Sequence, residues 1–213
     1  MIVTIDGPAG AGKSTVARKL AAELGFRYLD TGAMYRALTW LAMQRSVPLW
    51  ENEQLGELAR EHPVVFDDRG RVLIAGTDVT ASIRQSRIDR QVPVVARHPA
   101  VRAVMRERQR ELAEQGDVVI EGRDIGTVVI PNADVKVYLN ADASIRARRR
   151  QAERPDIGAD ALATDLRIRD ESDAARMRPA PDAIQIDTSD LHVDDVVARI
   201  ERLVQERAAA ARP

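Results

Sequence analysis

Two rhythms of apolar and polar positions alternate along this chain. Short apolar runs read as buried strands. Between them apolar residues return every three or four positions, which reads as amphipathic helix. Ile2–Asp6 predicts a strand. Lys13–Leu24 predicts a helix with Val16, Leu20 and Leu24 on one stripe and Gly25 as its stop. Phe26–Asp30 predicts a second strand, and Met34–Met43 a second helix that ends before Pro48.

From about Leu49 to Pro99 the rhythm breaks. Val64–Phe66 and Val72–Ala75 flank Asp67-Asp68-Arg69-Gly70, which has hairpin-turn chemistry. This stretch predicts an inserted subdomain with a small antiparallel ribbon. A long helix over Ala100–Gln115 follows, with Val101, Val104, Met105 and Leu112 inward and Gly116 at its end.

Val118–Ile120 and Val135–Leu139 predict two more buried strands. Ala143–Ala152 predicts a helix with Asp142 as its N-cap. Pro155 and Gly158 interrupt the segment Gln151–Ala159, and helix resumes over Ala161–Asp170. Ala183–Ile186 predicts the last core strand. Val196, Val197, Ile200, Leu203 and Val204 mark a final amphipathic helix, with a frayed Ala/Arg tail after Glu206. Strands alternating with helices predict an α/β fold around a parallel sheet.

Composition narrows the classes of function. The 213 residues suffice for one core-bearing domain with an excursion. Acidic and basic residues nearly cancel to a net charge of -1, which gives no reason to expect nucleic acid or an anionic membrane as partner. There is no Cys, so disulfides and thiolate metal sites are excluded. No signal-peptide pattern precedes Ile2, and no apolar run approaches the ~18 residues of a membrane span. The expected location is cytoplasmic. The basic residues are nearly all Arg; the lysines are Lys13, Lys19 and Lys136.

The strongest motif is Gly7-Pro8-Ala9-Gly10-Ala11-Gly12-Lys13-Ser14, followed by Thr15. It fits G-x-x-x-x-G-K-[ST]. At background frequencies a match arises by chance in about one chain in a hundred of this length. Here a strand precedes it and a helix follows, as phosphate binding requires. Backbone N–H groups can surround a phosphate chain only where no Cβ intervenes, hence the glycines. The helix then turns its unpaired N–H groups and its positive end toward the anion. Lys13 is placed to neutralise the β- and γ-phosphates, and Ser14 to offer a hydroxyl to Mg²⁺. The motif predicts a nucleoside triphosphate site. It does not separate a kinase from an ATPase or a GTPase switch, although the N-K-x-D segment of guanine-selective switches is absent.

Arginines supply the acceptor side. Asp30-Thr31-Gly32-Ala33-Met34-Tyr35-Arg36 follows the second strand, with Thr31 able to cap the next helix. Val118–Ile120 leads into Glu121-Gly122-Arg123-Asp124. Ligands bind outside the C-terminal ends of strands in open α/β sheets. Arg123 is therefore aimed at the crevice that holds the triphosphate. Arg146, Arg148, Arg149 and Arg150 form a third group. Arg169, Asp173 and Arg176 form a fourth, at i, i+4 and i+7 on one predicted helical face. Each group alone also reads as a solvated, salt-bridged surface. Together they suit phosphoryl transfer between two phosphates, which collects negative charge that bidentate Arg can neutralise. An acceptor phosphate is already ionised near neutral pH, so no strong general base is required. His62, His98 and His192 have no motif around them and read as structural or surface residues.

At this point the chain resembles bacterial cytidylate kinases. The matching segments are Ile5–Ser14, Leu29–Arg36, Glu121–Val129 and Arg169–Asp173 with Arg176. The first is generic, and the second and third together are specific. The resemblance implies a nucleoside monophosphate kinase with a five-stranded parallel sheet in a P-loop core. It also implies an inserted subdomain that binds the monophosphate, and a short lid. Residues 1–38 and 98–213 would form the core, residues 39–97 the insertion, and about 151–159 the lid. Tyr35, Arg36, Arg123 and Arg176 would contact the acceptor α-phosphate or the transferring group. Arg102 and Asp124 would read the cytosine edge, and Arg169 and Asp173 the sugar. A carboxylate accepts from the cytosine amine while Arg satisfies O2 and N3. Uracil reverses two of these groups, at ~1–3 kcal/mol each. Where the family carries a Ser, this chain aligns Pro93, which has no hydroxyl.

The expected activity is phosphorylation of CMP and dCMP by ATP with Mg²⁺. Lys13, Arg123 and Arg176 would be the catalytic residues, in a chain that suffices as a monomer. A kinase for UMP, AMP or a small hydroxylated metabolite, and a nucleotide-dependent switch, are the competing readings.

Overall fold

A computed structural model describes residues 1–67, 69–155, 157–174 and 176–210. Asp68 of the expected hairpin turn, Asp156 of the expected lid and the last three residues of the expected frayed tail lie outside the described residues. The first elements are β1 (Ile2–Asp6), α1 (Lys13–Leu24), β2 (Arg27–Asp30), α2 (Thr31–Gln44) and α3 (Asn52–Glu61). There follow β3 (Val65–Phe66), β4 (Val72–Ile74), β5 (Thr77–Asp78), a 3-10 turn (Ser82–Arg84), α4 (Ser86–Asp89), α5 (Val92–Ala96) and α6 (Pro99–Ala113). The chain ends with β6 (Val118–Gly122), a π-helical turn (Ile125–Val129), β7 (Val135–Asn140), α7 (Ala143–Glu153), α8 (Ala159–Asp173), β8 (Ile184–Asp187) and α9 (Val193–Ala210).

These elements form two compact units. One comprises Met1–Asp30 with Ala113–Pro213, the other Thr31–Leu112. In the first unit the five-stranded sheet has the order β2-β6-β1-β7-β8, and each neighbouring pair is parallel. The three central strands, β1, β6 and β7, are short and almost wholly buried because they are covered on both faces. Val3, Ile5, Val119, Val137, Leu139 and Ile186 meet Val16 and Leu20 of α1 and Val196, Val197, Ile200 and Val204 of α9 in one cluster. Burying a Leu or Ile of this kind contributes ~1.5–3 kcal/mol. This packing fixes the strand ends, and the strand ends carry the site.

In the second unit Met34, Leu38, Leu55, Ile74, Ile83 and Ile88 are fully buried. The ribbon is antiparallel, in the order β3-β4-β5. This unit is wider than 39–97, because α2 packs on β4, α3, α4 and α5 within it.

Thr31 is the first residue of α2, not its cap. Asp142 stands at the N-cap position of α7 but makes no side-chain cap bond. The helix α8 stops at Asp173, so Arg176 lies past its end and its N–H donates to the Asp173 carbonyl at 2.7 Å. Among the described residues no helix is long and apolar enough to cross a membrane.

Candidate active site

The site is built on the C-terminal ends of β1 and β6. After Asp6 the chain turns through Gly7–Gly12 into α1. Gly7 has φ +144°, and a Cβ there would sit 2.0 Å from the Leu139 carbonyl oxygen, so no side chain fits. Gly12 has φ +89° directly before α1, and no side chain caps the helix start. The first-turn amides of α1 are thereby left for an anion. The Lys13 ammonium donates to the Pro8 carbonyl at 2.8 Å, folding back over the loop. Burial pushes its pKa down to about 7, and the Arg123 guanidinium adds to the fall, against the opposing pull of Glu121, Asp6 and Asp173.

Behind the loop lie two buried carboxylates that the motif reading left without a role. Asp6 Oδ1 accepts the N–H of Ile125 at 2.9 Å, and Oδ2 that of Gly126 at 2.8 Å. These bonds hold the π-helical turn that follows Arg123 and Asp124. Burial raises Asp6 to about 6, although the two amides pull the other way. Glu121 Oε2 accepts from the Ser14 hydroxyl at 2.9 Å. Its other oxygen, Oε1, accepts from the Tyr28 hydroxyl. Burial holds Glu121 above the usual carboxylate range, with Asp30 adding and Lys13 opposing.

The arginines of the first unit converge on the same loop. Arg123 Nη1 donates to the Gly7 carbonyl at 2.7 Å, and its Nε lies 3.2 Å from Asp173 Oδ2. Arg176 Nη2 donates to Asp173 Oδ1 at 2.6 Å. Asp173 thus bridges the two guanidinium groups. Arg169 is near enough to lower Arg123 electrostatically, although burial is the larger cause of that fall. Asp124 is buried immediately after Arg123. Arg146 Nη1 donates to the Ala9 carbonyl at 3.1 Å, and its guanidinium grips Asp170 at 3.1 and 2.7 Å. Arg149 donates to the Thr188 hydroxyl at 2.9 Å, and that hydroxyl donates to the Ala11 carbonyl at 3.1 Å.

Gly7–Thr15, Arg123, Asp124, Arg169, Asp173 and Arg176 therefore lie in the first unit around the loop. Thr31, Tyr35 and Arg36 lie on the opening turns of α2 and Arg102 on α6, in the second unit. Asp6 and Glu121 were readable in kind, since each is a carboxylate closing an apolar strand. Arg146 and Arg149 belong to the third arginine group, but their partners Asp170 and Thr188 had no such signal, because they lie more than twenty positions away in sequence. His98 is buried with its ring on the Leu49 carbonyl at 2.9 Å, as suits a structural residue.

A parallel sheet of this order, with a glycine loop delivering a lysine into α1 beneath a cluster of arginines, defines the P-loop kinase fold. Shikimate kinase from Bacteroides thetaiotaomicron shares that fold. Its TM-score is 0.53 at 18% identity, covering 96% of this chain and 98% of that one.

A sequence profile described as cytidylate kinase matches residues 3–206, and the chain belongs to the cytidylate kinase family. It is 45% identical to the cytidylate kinase of Geobacillus kaustophilus (strain HTA426), over 96% of each chain. It is also 45% identical to the bifunctional pantoate ligase/cytidylate kinase of Synechococcus sp. (strain JA-3-3Ab), over 99% of this chain. The chain spans only 42% of the length of that relative.

Proposed function

We propose that this chain transfers the γ-phosphoryl group of ATP to CMP and dCMP, giving ADP with CDP or dCDP. The observation that carries this reading is the bond from Arg123 to Gly7, which joins the guanidinium cluster to the triphosphate loop. In the reaction an α-phosphate oxygen of the acceptor forms a bond to the γ-phosphorus while the β–γ bridging bond breaks and ADP leaves. The transition state spreads charge over the equatorial oxygens, so positioned cations do most of the work. Lys13 faces the β- and γ-phosphates, and Arg123 and Arg176 face the transferring group and the acceptor phosphate. Asp173 neutralises both arginines while no phosphate is bound, and on this reading substrate displaces it toward the sugar beside Arg169.

The acceptor contacts of Tyr35, Arg36, Arg102 and Asp124 rest on the family pattern. The Ser14 hydroxyl and the Glu121 carboxylate are hard oxygen donors side by side, which fits Mg²⁺. They would hold it against the phosphates, where it supplies neutralising charge.

A coupled ADP-release assay with CMP, dCMP, UMP and AMP tests the reading. ADP release that depends on CMP and dCMP supports it, and ATP consumption without acceptor dependence sinks it. Pro93 gives UMP particular weight. It lies within α5, in the first turn, and brings no hydroxyl where the family has Ser. Comparable turnover of UMP and CMP would mean that cytosine is not selected.

A further inference from the structure

Glu121 is bonded to the P-loop serine, and each of its carboxylate oxygens accepts from its own hydroxyl. Ser14 comes from α1 and Tyr28 from β2. The strand register places Asp30 opposite Glu121 and Tyr28 opposite Val119, so Tyr28 and Glu121 lie on the same face of the sheet. Arg18 stands one helical turn beyond Ser14 on α1, with its guanidinium carbon 5.5 Å from the centre of the Tyr28 ring. The contacts close a loop from Ser14 to Glu121, to Tyr28, to Arg18 and back along α1. The Tyr28 hydroxyl is a donor in this loop.

A serine hydroxyl has one proton and two lone pairs. While the proton points at Glu121, a lone pair is free to face a cation. If the carboxylate swings away, the proton can point where the cation belongs.

We infer that Tyr28 is a positioning residue that fixes the Glu121 carboxylate, so that Ser14 presents a lone pair to the divalent cation carried by the bound triphosphate. This rests on the kinase reading only in taking Mg·ATP as the ligand. Groups that orient a metal's direct ligands in this way are worth about ten- to a hundredfold in metal affinity.

Calorimetric titration of the full chain with ATP tests it, once in excess Mg²⁺ and once in EDTA. Tyr28→Phe keeps the ring and the Arg18 contact but removes the donor. The expected result is about tenfold weaker binding in Mg²⁺ and unchanged binding in EDTA. Equal losses in both buffers, or no loss in either, overturn the proposal. Glu121→Gln supplies the second arm. If Tyr28 acts through Glu121, adding Y28F to E121Q produces little further loss in Mg²⁺, whereas additive losses contradict it. Should Y28F fail to fold, Arg18→Met is titrated instead. An Mg²⁺-specific loss of about threefold supports the proposal, and no change overturns it. CMP-dependent ADP release by the unmodified chain is measured separately. Its absence would sink the kinase reading, whereas the titrations judge Tyr28 alone.

Discussion

Arg123 Nη1 donates to the carbonyl oxygen of Gly7 at 2.7 Å. One residue follows β6 and the other opens the phosphate loop after β1, and the register already sets Gly122 beside Asp6. The guanidinium is therefore fixed by two adjacent parallel strands, not by a flexible side chain reaching across a cleft. Its fork holds Gly7 with one nitrogen and Asp173 with another.

Arg123→Ala should lower kcat/KM for CMP by about a thousandfold, the scale of an arginine that stabilises a transferring phosphoryl group. Arg123→Lys should recover less than about a tenth of the lost activity, because one ammonium cannot match the two-pronged geometry. Steady-state kinetics with varied CMP at saturating ATP would check both. Near-normal transfer by R123A would remove Arg123 from the reaction.

Lys13 gives a prediction in protons. Its pKa in the ligand-free protein is pushed down to about 7 from an ordinary 10.5, first by burial and then by Arg123. A bound triphosphate brings opposite charge and raises it again. At pH 8 the free amine is largely neutral, so ATP binding should take up close to one proton. Calorimetry of ATP binding in buffers of different ionisation enthalpy would measure that uptake. Lys13→Met should abolish it. The same shift has a sign for stability. The unfolded chain binds more protons here than the folded one, so this group adds stability as pH rises from about 7 toward 10.5.

Asp6 works in the opposite sense. Its pKa rises from 3.8 to about 6, so the folded chain binds the extra proton, and the contribution of this group falls as pH climbs through that window. Asp6→Asn should flatten that part of a urea-denaturation profile taken across pH 4–6. At pH 7.5 the amide removes the buried charge but offers one acceptor oxygen where the carboxylate serves two N–H groups, so the net change should be smaller than the ~1–2 kcal/mol of the lost bond. The Ile125 and Gly126 amides are the ones at stake. A slope across pH 4–6 in D6N equal to that of the wild type would show that Asp6 does not supply it.

The sequence made the parallel sheet legible because its central strands are buried on both faces and read as apolar runs, and because its loop is a motif with a mechanism. Ile2–Asp6 and Lys13–Leu24 were read to the residue. The π-helical turn over Ile125–Val129 was not legible. It exists because Asp6, more than a hundred positions earlier, supplies acceptors for its first two amides. α3 was missed for another reason. Its inner face is short, Leu55, Gly56, Leu58 and Ala59, and carries a glycine, a poor helix former, which it buries tightly against Ala100, where a Cβ would come within 2.7 Å of the neighbour. Arg176 was assigned to a helical face but meets Asp173 from a turn, since its position depends on that ion pair and not on helical period. What a single chain conceals is the long-range polar partner.

The arginine run on α7 shows that concealment most sharply and gives a last prediction. Arg146 and Arg150 stand one helical turn apart and are indistinguishable in sequence. Arg150 pairs with Glu153, whose side chain is 55% exposed. The Arg150 side chain is itself 20% exposed and its partner stands in water, so the pair contributes about 1 kcal/mol and Arg150→Ala should lower the melting temperature less than Arg146→Ala does. Arg146 is 10% exposed, grips Asp170 through two nitrogens and holds the Ala9 carbonyl of the phosphate loop. Removing it leaves Asp170 without its countercharge on α8 and frees the middle of the loop. Arg146→Ala should therefore destabilise the chain by about 3 kcal/mol in urea denaturation. It should also raise KM for ATP more than it lowers kcat, since the loop's shape is needed from the moment the nucleotide binds. If the two alanine variants melt together, the tie from α7 through Arg146 to the phosphate loop carries no energy, and the loop is held by its glycines and strand ends alone.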